Sequence, residues 1–289
     1  MITKETDFKK HIKTKEYKSL YYIFGEEKFL VKHYTNMLIK ELVYMIAIIL
    51  AAGYATRLYP LTINKPKALL PINNKPIIDY IVDEIETIDA VNEIIVVSNH
   101  KFADCFDEWA KGVECSKKVT VLDDGTSTEE TRRGAIGDIL FAIEEKNIDE
   151  ELLVIAGDNF FTYKLKDYYD YFIEKDRDCV CVKKFDDRNL LKQFGVALLD
   201  ENGKVKDIEE KPAEPKSDTA VYATYMYKKD TVPMFRQYID EGNKPDAPGY
   251  FPEWLYKIKE VYAYTFDGEC YDIGTPESYK SVCDEFENK

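Results

Sequence analysis

A small-residue turn followed closely by basic side chains is the part of this sequence that could most directly do chemistry. The apolar run at 46–50 predicts a buried parallel strand, and it breaks directly into AAGYATR at 51–57. In such a turn, main-chain N–H groups can approach an anion without interference from side chains. Because Arg57, Lys65 and Lys67 lie on or just behind the turn, it predicts a binding loop for nucleotide phosphates.

Two common phosphate-binding motifs do not fit this loop. A Walker loop requires a glycine, four residues and then Gly-Lys-Ser or Gly-Lys-Thr, and the sequence lacks that pattern. A dinucleotide fingerprint opens directly into a helix, whereas Pro60, Pro66 and Pro71 keep this chain extended. The spacing therefore indicates another class of nucleotide site.

An acidic side chain follows a second predicted buried strand, Leu152 to Ala156. Ligands of open α/β sheets bind at the carboxyl ends of the strands, so Asp158 would lie at that edge with oxygens suited to a divalent cation. The structural alternative is an aspartate that caps the next helix. Histidine and cysteine chemistry is not indicated, because the three histidines are isolated and no pair among the six cysteines has C-x-x-C spacing.

Alternating strands and helices must position these groups. Isoleucines at helical spacing between Ile77 and Ile88 predict a helix after the loop, and strands are predicted at Glu93 to Val97 and at Val119 to Leu122. The polar stretch 123–133 is typical of a functional loop, and a helix follows Gly134. The second half is richer in strands, which are predicted at Cys179 to Lys184, Gly195 to Leu199, Val205 to Glu209 and Ala220 to Tyr227.

The first segment resembles the signature of the sugar-1-phosphate nucleotidylyltransferases, the family that contains the glucose-1-phosphate thymidylyl- and uridylyltransferases. Their pattern, L-A-[AG]-G-x-G-T-R-L-x-P-L-T, then P-K-x-L-L-P, then K-P, is matched at 50–62, 66–71 and 75–76. Ala55 replaces the second glycine. If the loop needs a positive φ there, alanine costs on the order of 1 kcal/mol.

The resemblance extends over essentially all of residues 45–289. It implies an α/β fold, the Rossmann-like three-layer nucleotide-diphospho-sugar transferase fold with a mixed, mostly parallel sheet. The motif GDN at 157–159 and the motif DIGTPE at 272–277 imply that Asp158 and Asp272 hold Mg²⁺. By the same resemblance, the catalytic residues are Arg57, Lys67, Asp158 and Asp272, and the nucleotide-binding residues are Ala52, Gly53, Thr56, Asp123 and Gly134.

The sugar-phosphate site is implied by three motifs in the second half: F-G-V at 194–196, E-K-P at 210–212 and A-V-Y-A-T-Y at 220–225. By resemblance, Glu210 binds the sugar hydroxyls and Lys211 binds the sugar phosphate. Gly195 lets the sugar approach the main chain, and Val221 with Tyr225 lines the far wall of the pocket.

The implied reaction is attack by a sugar-1-phosphate oxygen on the α-phosphorus of a nucleoside triphosphate, which gives a nucleotide-sugar and pyrophosphate. The family's commonest substrates are dTTP or UTP with glucose-1-phosphate, but an Asp at position 123 replaces the family's base-reading Gln and leaves the base open. A phosphate monoester is already ionised at pH 7, so no general base is needed. Two alternatives stay open: a cytidylyltransferase for a non-sugar phosphate such as phosphocholine, and a non-catalytic regulatory domain that binds nucleotide-sugars.

Charge and composition argue against nucleic acid and membranes as partners. The net charge is −14, and residues 1–44 carry nine lysines against six acidic residues, so the remainder is more acidic than the whole chain. Such a body repels nucleic acid. The longest apolar run is too short to span a bilayer, and no leader resembles a signal peptide. We expect a cytoplasmic enzyme that binds no nucleic acid and no membrane; the oligomeric state stays open, a homo-oligomer included.

Residues 1–44 look foreign to the rest of the chain, and Met45 stands where a nucleotidylyltransferase would begin. The phrase YYIFGEEKFL at 21–30 predicts a strand, a turn and the start of a helix. Over this segment only, it resembles the N-terminal edge of the delta subunit of bacterial DNA polymerase III. We interpret 1–44 as a fused or misassigned start, with a genuine adaptor or oligomerisation arm as the alternative.

Overall fold

The computed structural model describes residues 10–11, 44–271 and 273–287. The chain divides into two compact units, residues 1–44 and 45–289, and the strands and helices named here belong to the second unit. The strand, turn and helix predicted within 1–44 lie outside the described residues. The interpretation of 1–44 as a fused or misassigned start therefore stays a prediction.

A mixed β-sheet forms the centre of the second unit. Nine of the described strands pair in it, in the order β10-β9-β11-β6-β1-β4-β5, with β8 pairing with β11 and β12 pairing with β8. The described strands are β1 (Met45–Leu50), β2 (Pro71–Ile72), β3 (Lys75–Pro76), β4 (Val91–Ser98), β5 (Lys118–Asp123), β6 (Glu151–Ala156), β7 (Phe160–Phe161), β8 (Asp178–Lys184), β9 (Gly195–Leu199), β10 (Val205–Glu210), β11 (Thr219–Tyr227), β12 (Val261–Thr265) and β13 (Cys270–Tyr271).

The first-half strands β6, β1, β4 and β5 run parallel to one another. Strand β1 is an apolar, largely buried run, as expected for a parallel strand covered on both faces. In the register of the sheet, Leu50 lies opposite Val97 and Ala156, and Ser98 lies opposite Asp123. The four strands therefore end together at one edge, which we call the carboxyl edge.

The second-half strands add an antiparallel part to the sheet. Strand β11 pairs antiparallel with β6, β8 and β9, and β9 pairs antiparallel with β10. Across these strands Gly195 lies opposite both Val221 and Glu210. The topology thus brings together three residues that the sequence assigns to sugar binding.

Helices cover the sheet. The described α-helices are α1 (Ile77–Glu86), α2 (Ala103–Gly112), α3 (Ala135–Lys146), α4 (Leu165–Lys175), α5 (Arg188–Leu191), α6 (Met234–Asp240), α7 (Tyr250–Leu255) and α8 (Pro276–Glu287). Helix α1 buries its isoleucines completely at Ile77, Ile78, Ile81 and Ile85, because they fall on one face at helical spacing. Helix α8 begins at a proline, whose fixed φ suits the first helical position.

A short antiparallel pairing brings the C-terminal part of the chain to the carboxyl edge. Tyr271 of β13 lies opposite Phe160 of β7, two residues after Asp158. The ring of Phe160 then packs edge-on against Tyr80 of α1 and Phe286 of α8, with ring centroids 5.0 and 4.8 Å away. This aromatic cluster fixes the segment that follows Tyr271 beside the phosphate loop.

The predicted fold class is confirmed: a mixed, mostly parallel sheet with flanking helices. Within residues 45–289, the predicted strands and the helices after the loop and after Gly134 are all present, with ends that differ by one or two residues; Ile88, included in the first helix, lies just beyond its end. The sequence analysis did not predict β2, β3, β7, β12, β13, α5, α6 or α7. None of the described helices combines the length and apolar character needed to cross a membrane.

Candidate active site

The phosphate loop after β1 is fixed to its neighbours by main-chain contacts. Ala51 N donates to Val97 O (2.9 Å), and Gly157 N donates to Leu50 O (2.8 Å). The buried Asn99 side chain donates from Nδ2 to Ala52 O at 2.8 Å. These bonds hold the start of the loop at the ends of three strands.

Ala55 adopts the left-handed conformation that the family's glycine would favour. Its φ is 46° and its ψ is 44°, so the predicted cost of about 1 kcal/mol for an alanine applies here. The surroundings stabilise this conformation, since Ala55 O accepts hydrogen bonds from Leu58 N (3.0 Å) and Thr62 Oγ1 (2.8 Å). The hydrogen bonds to Ala55 O therefore hold the loop in this conformation despite its cost.

A cavity of about 290 Å³ lies over this loop. It is lined by Leu50, Ala51, Gly53, Tyr54, Ala55, Thr56, Arg57, Leu58, Lys67, Ala68, Glu129, Arg132, Asp158, Ile273 and Gly274. A β-carbon on Gly53 would meet no atom of the described residues within 4 Å, so no contact seen there requires glycine. Arg57 is exposed and forms no ion pair within the described part of the chain. The cavity thus combines open space at a glycine with an uncompensated cation.

Lys67 and Asp158 meet at the floor of the cavity. Lys67 Nζ lies 2.8 Å from Asp158 Oδ2, and the lysine side chain is only 12% exposed whereas that of the aspartate is 47% exposed. Oδ1 of Asp158 accepts no hydrogen bond from the described residues. One carboxylate oxygen is therefore held toward a buried cation, and the other is open to a ligand.

Asp272, the second predicted metal ligand, lies outside the described residues. Ile273 and Gly274, which follow it, line the cavity. Within 10–11, 44–271 and 273–287 no group of three or more His, Cys, Asp or Glu side chains could hold a metal ion. Among the described residues, Asp158 is thus the predicted ligand whose position can be stated.

Asp123, the predicted base-reading residue, points its carboxylate at other protein groups. Oδ2 is 2.6 Å from His100 Nδ1, and Oδ1 accepts from Gly125 N at 2.8 Å. Burial alone would raise the pKa of Asp123, but these two hydrogen bonds outweigh it and lower the pKa. Asp123 is not among the cavity-lining residues, and its role in base recognition stays a prediction.

Gly134 begins the turn into α3 with a φ of 80°. A β-carbon there would lie 2.6 Å from Pro245 O and 2.9 Å from the Cα of Asp246. Both the backbone conformation and the close approach require glycine at this position. The structure therefore gives a packing reason for a glycine that the sequence analysis assigned to the nucleotide base.

The residues predicted for sugar binding lie together on β9, β10 and β11. A β-carbon on Gly195 would lie 3.0 Å from Glu210 Oε2 and 3.4 Å from Val221 Cβ. The Glu210 carboxylate is partly buried and forms no hydrogen bond or ion pair with any described residue. Burial raises its pKa, with Lys211 opposing and Glu253 adding to the shift. Tyr225 is buried close by, and burial and then Glu210 raise its pKa.

Lys211, next to Glu210, has an unusual backbone conformation. Its φ of 49° is left-handed, which is unfavourable for a lysine, and its side chain is exposed. Strained non-glycine residues concentrate at functional sites, where the surrounding structure holds them in place. The bond from Lys211 N to Phe194 O (3.1 Å) fixes this bend next to Gly195.

Comparison with known proteins identifies the family. The family described as "Nucleotidyl transferase" matches residues 46–289 of this chain. The chain belongs to this family. The resemblance found in the sequence is thereby confirmed over nearly all of the second unit.

Relatives within the nucleotidyl transferase family differ in the base they are named for. A Sulfolobus acidocaldarius protein, whose name places it with the mannose-1-phosphate guanyltransferases, is 28% identical over 241 residues, which is 82% of this chain and 61% of that protein. The glucose-1-phosphate adenylyltransferase of Geobacillus stearothermophilus is 28% identical over 250 residues, which is 81% of this chain and 63% of that enzyme. The chain thus spans about three fifths of the length of both relatives.

Solved structures share the fold. UDP-glucose pyrophosphorylase in complex with UDP-glucose superposes with a TM-score of 0.70 at 22% identity, over 86% of this chain and 99% of that chain. At this identity the likeness supports the fold alone. It agrees with the mixed sheet and its flanking helices.

Several groups at the site of this nucleotidyl transferase were not singled out from the sequence. Tyr54 and Glu129 line the cavity. Asn159 Nδ2 donates to Ala223 O (3.3 Å) and so links the residue after Asp158 to the sugar-side strand β11. A further segment at 244–249 contacts both sides of the site. The turn-forming composition of that segment, KPDAPG, was the available signal.

Proposed function

We propose that this protein transfers a nucleotidyl group from a nucleoside triphosphate to a sugar-1-phosphate, releasing pyrophosphate. The observation that carries the proposal is the pair of sites along one sheet edge. A cation-lined cavity contains Arg57, Lys67 and Asp158, and the Glu210 carboxylate, which has no partner among the described residues, lies against Gly195 of β9 and Gly249 just before α7. The family match and the names of the relatives support the same reaction class.

The nucleotide side of the proposal follows from charge. Both reactants are polyanions, so the site must first offset their repulsion and then align the attacking oxygen. Arg57 has a planar fork of donors and pairs with no carboxylate of the described residues, which suits the leaving β- and γ-phosphates. Lys67, held by Asp158, would place a point charge at the α-phosphate. Ala52, Gly53 and Thr56 would offer main-chain N–H groups to the triphosphate.

The chemistry of the donors fits a magnesium ion. Asp158 has an open, half-exposed carboxylate oxygen at the cavity, and oxygen ligands of this kind are what Mg²⁺ prefers. We propose that Asp158 and Asp272 hold the ion. When bound, it supplies charge neutralisation on the phosphate oxygens.

The sugar side would use groups that the fold leaves free. The Glu210 carboxylate can accept hydrogen bonds from sugar hydroxyls, and Gly195 lets the sugar approach the main chain. Lys211, exposed and left-handed, would contact the sugar phosphate. Val221 and Tyr225 form the buried wall behind them.

For the substrates themselves we propose UTP or dTTP with glucose-1-phosphate as the first pairing to test. The motif resemblance supports this choice, while the relatives named for guanyl and adenylyl transfer keep the base open. A cytidylyltransferase acting on phosphocholine is the competing reaction, and a non-catalytic binding domain is the competing class. Cytoplasmic location, homo-oligomer formation and the absence of nucleic-acid binding stay predictions.

The test is pyrophosphate release with Mg²⁺, crossing the nucleoside triphosphates with sugar-1-phosphates, phosphocholine and no acceptor. We expect turnover that requires one sugar-1-phosphate and one base. Turnover with phosphocholine alone would favour the cytidylyltransferase. Nucleotide binding without turnover across the whole panel would contradict the proposed reaction and leave the binding domain.

A further inference from the structure

The segment 244–249, which we call the bridging segment, runs between the two halves of the candidate site. Tyr238 of α6 anchors its start by donating from the hydroxyl to Lys244 O (2.7 Å). Its end leads into α7 at Tyr250. The segment is rich in turn residues, with two prolines that restrict its backbone.

One end of the bridging segment is clamped to the turn at Gly134. Ala135 N donates to Asp246 O (3.1 Å), and Ile136 N donates to Pro245 O (2.9 Å). In addition, Arg132 Nη2, from a residue that lines the phosphate cavity, lies 3.3 Å from Asp246 Oδ1. Because two main-chain bonds and the tight packing on Gly134 act together, this end cannot retreat from α3.

The other end of the bridging segment lies against the Glu210 carboxylate. Gly249 is buried, and a β-carbon on it would overlap Oε2 of Glu210 and lie 2.8 Å from its Cδ. A β-carbon on Gly195 would lie 3.0 Å from the same oxygen. The carboxylate therefore packs against two glycines.

No hydrogen bond to a described residue fixes the Glu210 carboxylate, so its orientation depends on these two walls. The Glu210 main chain is held separately, since its N–H donates to Glu253 Oε2 of α7 at 3.0 Å. An atom added on Gly249 would have to displace the carboxylate, because the clamp at Gly134 prevents the bridging segment from moving away. A carboxylate turned out of position would lose its bonds to a bound polyol.

We propose that Gly249 is a positioning residue that orients the Glu210 carboxylate toward the sugar of the acceptor. The bridging segment, clamped at Gly134, supplies the fixed point against which Gly249 acts. This inference rests on the proposed function, which gives Glu210 its ligand. It adds to the site a residue that lies outside all the motifs of the resemblance.

The test is a double-mutant cycle on the full chain with the variants Gly249→Ala, Glu210→Ala and the two together. Gly112→Ala is the matched control, because a β-carbon on Gly112 would meet nothing within 4 Å and its φ is not left-handed. Kinetics use Mg²⁺ with the nucleotide and sugar phosphate that give turnover in the substrate panel. Thermal unfolding of all five proteins is measured in parallel.

We expect Gly249→Ala to raise the KM for the sugar phosphate roughly 10- to 100-fold, the scale for losing a hydrogen bond to a charged group. The KM for the nucleotide should change less than the KM for the sugar phosphate. In the Glu210→Ala background, Gly249→Ala should change kcat/KM for the sugar phosphate by less than about twofold, since the overlapping carboxylate is gone. For the same reason Glu210→Ala should restore thermal stability that Gly249→Ala has lost.

An equal effect of Gly249→Ala in both backgrounds would overturn the proposal, as would a sugar-phosphate KM unchanged from the parent. If Gly249→Ala alone fails to fold, the double variant should fold, and its failure to do so would also overturn it. Absence of turnover by the parent protein would instead contradict the proposed function. The unfolding temperatures would still show whether Gly249 acts through Glu210.

Discussion

The two edges of the central sheet treat charge in opposite ways. At the edge where β6, β8 and β12 begin, Asp178 is fully buried, and its Oδ2 lies 2.9 Å from Lys259 Nζ. Thr231 Oγ1 donates to the same carboxylate, and Lys228 N donates to it at 2.7 Å. Every oxygen of this buried aspartate therefore has a partner.

At the carboxyl edge several charged groups lack partners among the described residues. Arg57 forms no ion pair with a described residue, and the Glu210 carboxylate accepts no hydrogen bond from one. Within the described chain, Asp158 pairs through Oδ2 alone. Because an uncompensated charged or polar group costs stability, such groups are expected where a ligand completes them. The contrast separates charges that are paired within the fold from charges that we propose are completed by substrate or metal.

The paired edge should respond to mutation through stability. Asp178→Ala removes one partner from a buried ion pair, so we expect a loss of about 3 kcal/mol in the free energy of unfolding. The kcat of the folded enzyme should stay within about twofold of the parent, because Asp178 is at the edge opposite the cavity. Urea denaturation and initial rates measure the two quantities.

An exposed ion pair provides the control for Asp178. Lys229 Nζ and Asp149 Oδ2 lie 2.8 Å apart with both side chains more than half exposed. Asp149→Ala should cost less than about 1 kcal/mol, as surface pairs do. Equal losses for the two variants would remove the distinction between the buried and exposed pairs.

The carboxyl edge should respond through activity. Asp158→Asn keeps the size of the side chain but weakens both the pairing to Lys67 and the proposed metal site. We expect kcat to fall by about 10²- to 10³-fold, the scale for one preorganised electrostatic group. Asp272→Asn should show a loss of similar size. The unfolding free energy of Asp158→Asn should change little, because the side chain is half exposed.

A magnesium titration separates the roles of the two aspartates from a general disturbance. If Asp158 and Asp272 hold the ion, each variant should need more Mg²⁺ for half-maximal rate than the parent. Activity of either variant within threefold of the parent at every Mg²⁺ concentration would contradict the assigned role.

Two glycines with open space around them, Gly53 at the cavity and Gly112 away from it, allow the same comparison with a single added β-carbon. The β-carbon added by Gly53→Ala would meet no atom within 4 Å in the part of the chain that the structure describes, so the fold should tolerate it. A displacement of about 1 Å at a reacting group can cost 10²-fold in rate, and we expect kcat/KM for the nucleotide to fall roughly 10- to 100-fold. Gly112→Ala, equally open but at the end of α2, should leave both properties unchanged. A parental kcat/KM for Gly53→Ala would mean that phosphate does not approach there.

Local signals in the sequence were strong where a motif and a strand end coincide. The β1 loop, the GDN turn and the strands at 195–199, 205–210 and 219–227 follow from apolar runs broken by small or charged residues. The left-handed conformation of Ala55 also followed, because the signature has a glycine there. These features depend on residues close together in the chain.

Contacts between distant segments could not be predicted in the same way. The bridging segment meets Gly134 from more than a hundred residues away, and Asp123 turns to His100 instead of the cavity. Neither contact leaves a periodic pattern in the sequence. Strand β12 was missed because the run VYAYT at 261–265 is short, and its place beside β8 depends on the topology of the whole sheet.

One buried aspartate, Asp138, has a carboxylate oxygen without a hydrogen-bond partner among the described residues. Asp138 of α3 is 6% exposed, and its Oδ1 has no hydrogen-bond partner in the described chain. Burial, and then the neighbouring Asp124, raise its pKa to about 8, with Arg133 opposing the shift. We therefore expect the folded protein to hold a proton on Asp138 at neutral pH, where the unfolded chain has released it.

The sign of the pH dependence follows from that difference. Because the pKa is higher in the folded state, the stabilisation is complete below the unfolded value and is lost as the pH rises toward about 8. Asp138→Asn removes this proton uptake while keeping a donor toward Asp124. Between pH 6 and pH 7 the variant should gain up to about 1.4 kcal/mol relative to the parent. Denaturant unfolding at half-unit intervals measures this difference.

The comparison of the two edges predicts that the effect is confined to stability. Asp138 lies behind Asp124, whose carboxylate accepts from Thr126 N and Oγ1, and Thr126 Oγ1 in turn lies 3.5 Å from the hydroxyl of Tyr54 at the cavity. Because we expect this chain of contacts to serve only the fold, the KM for the nucleotide should not change in Asp138→Asn. Parallel stability curves for parent and variant would show that Asp138 is ionised in the folded protein, and the aspartate would then belong with the incomplete charges of the carboxyl edge.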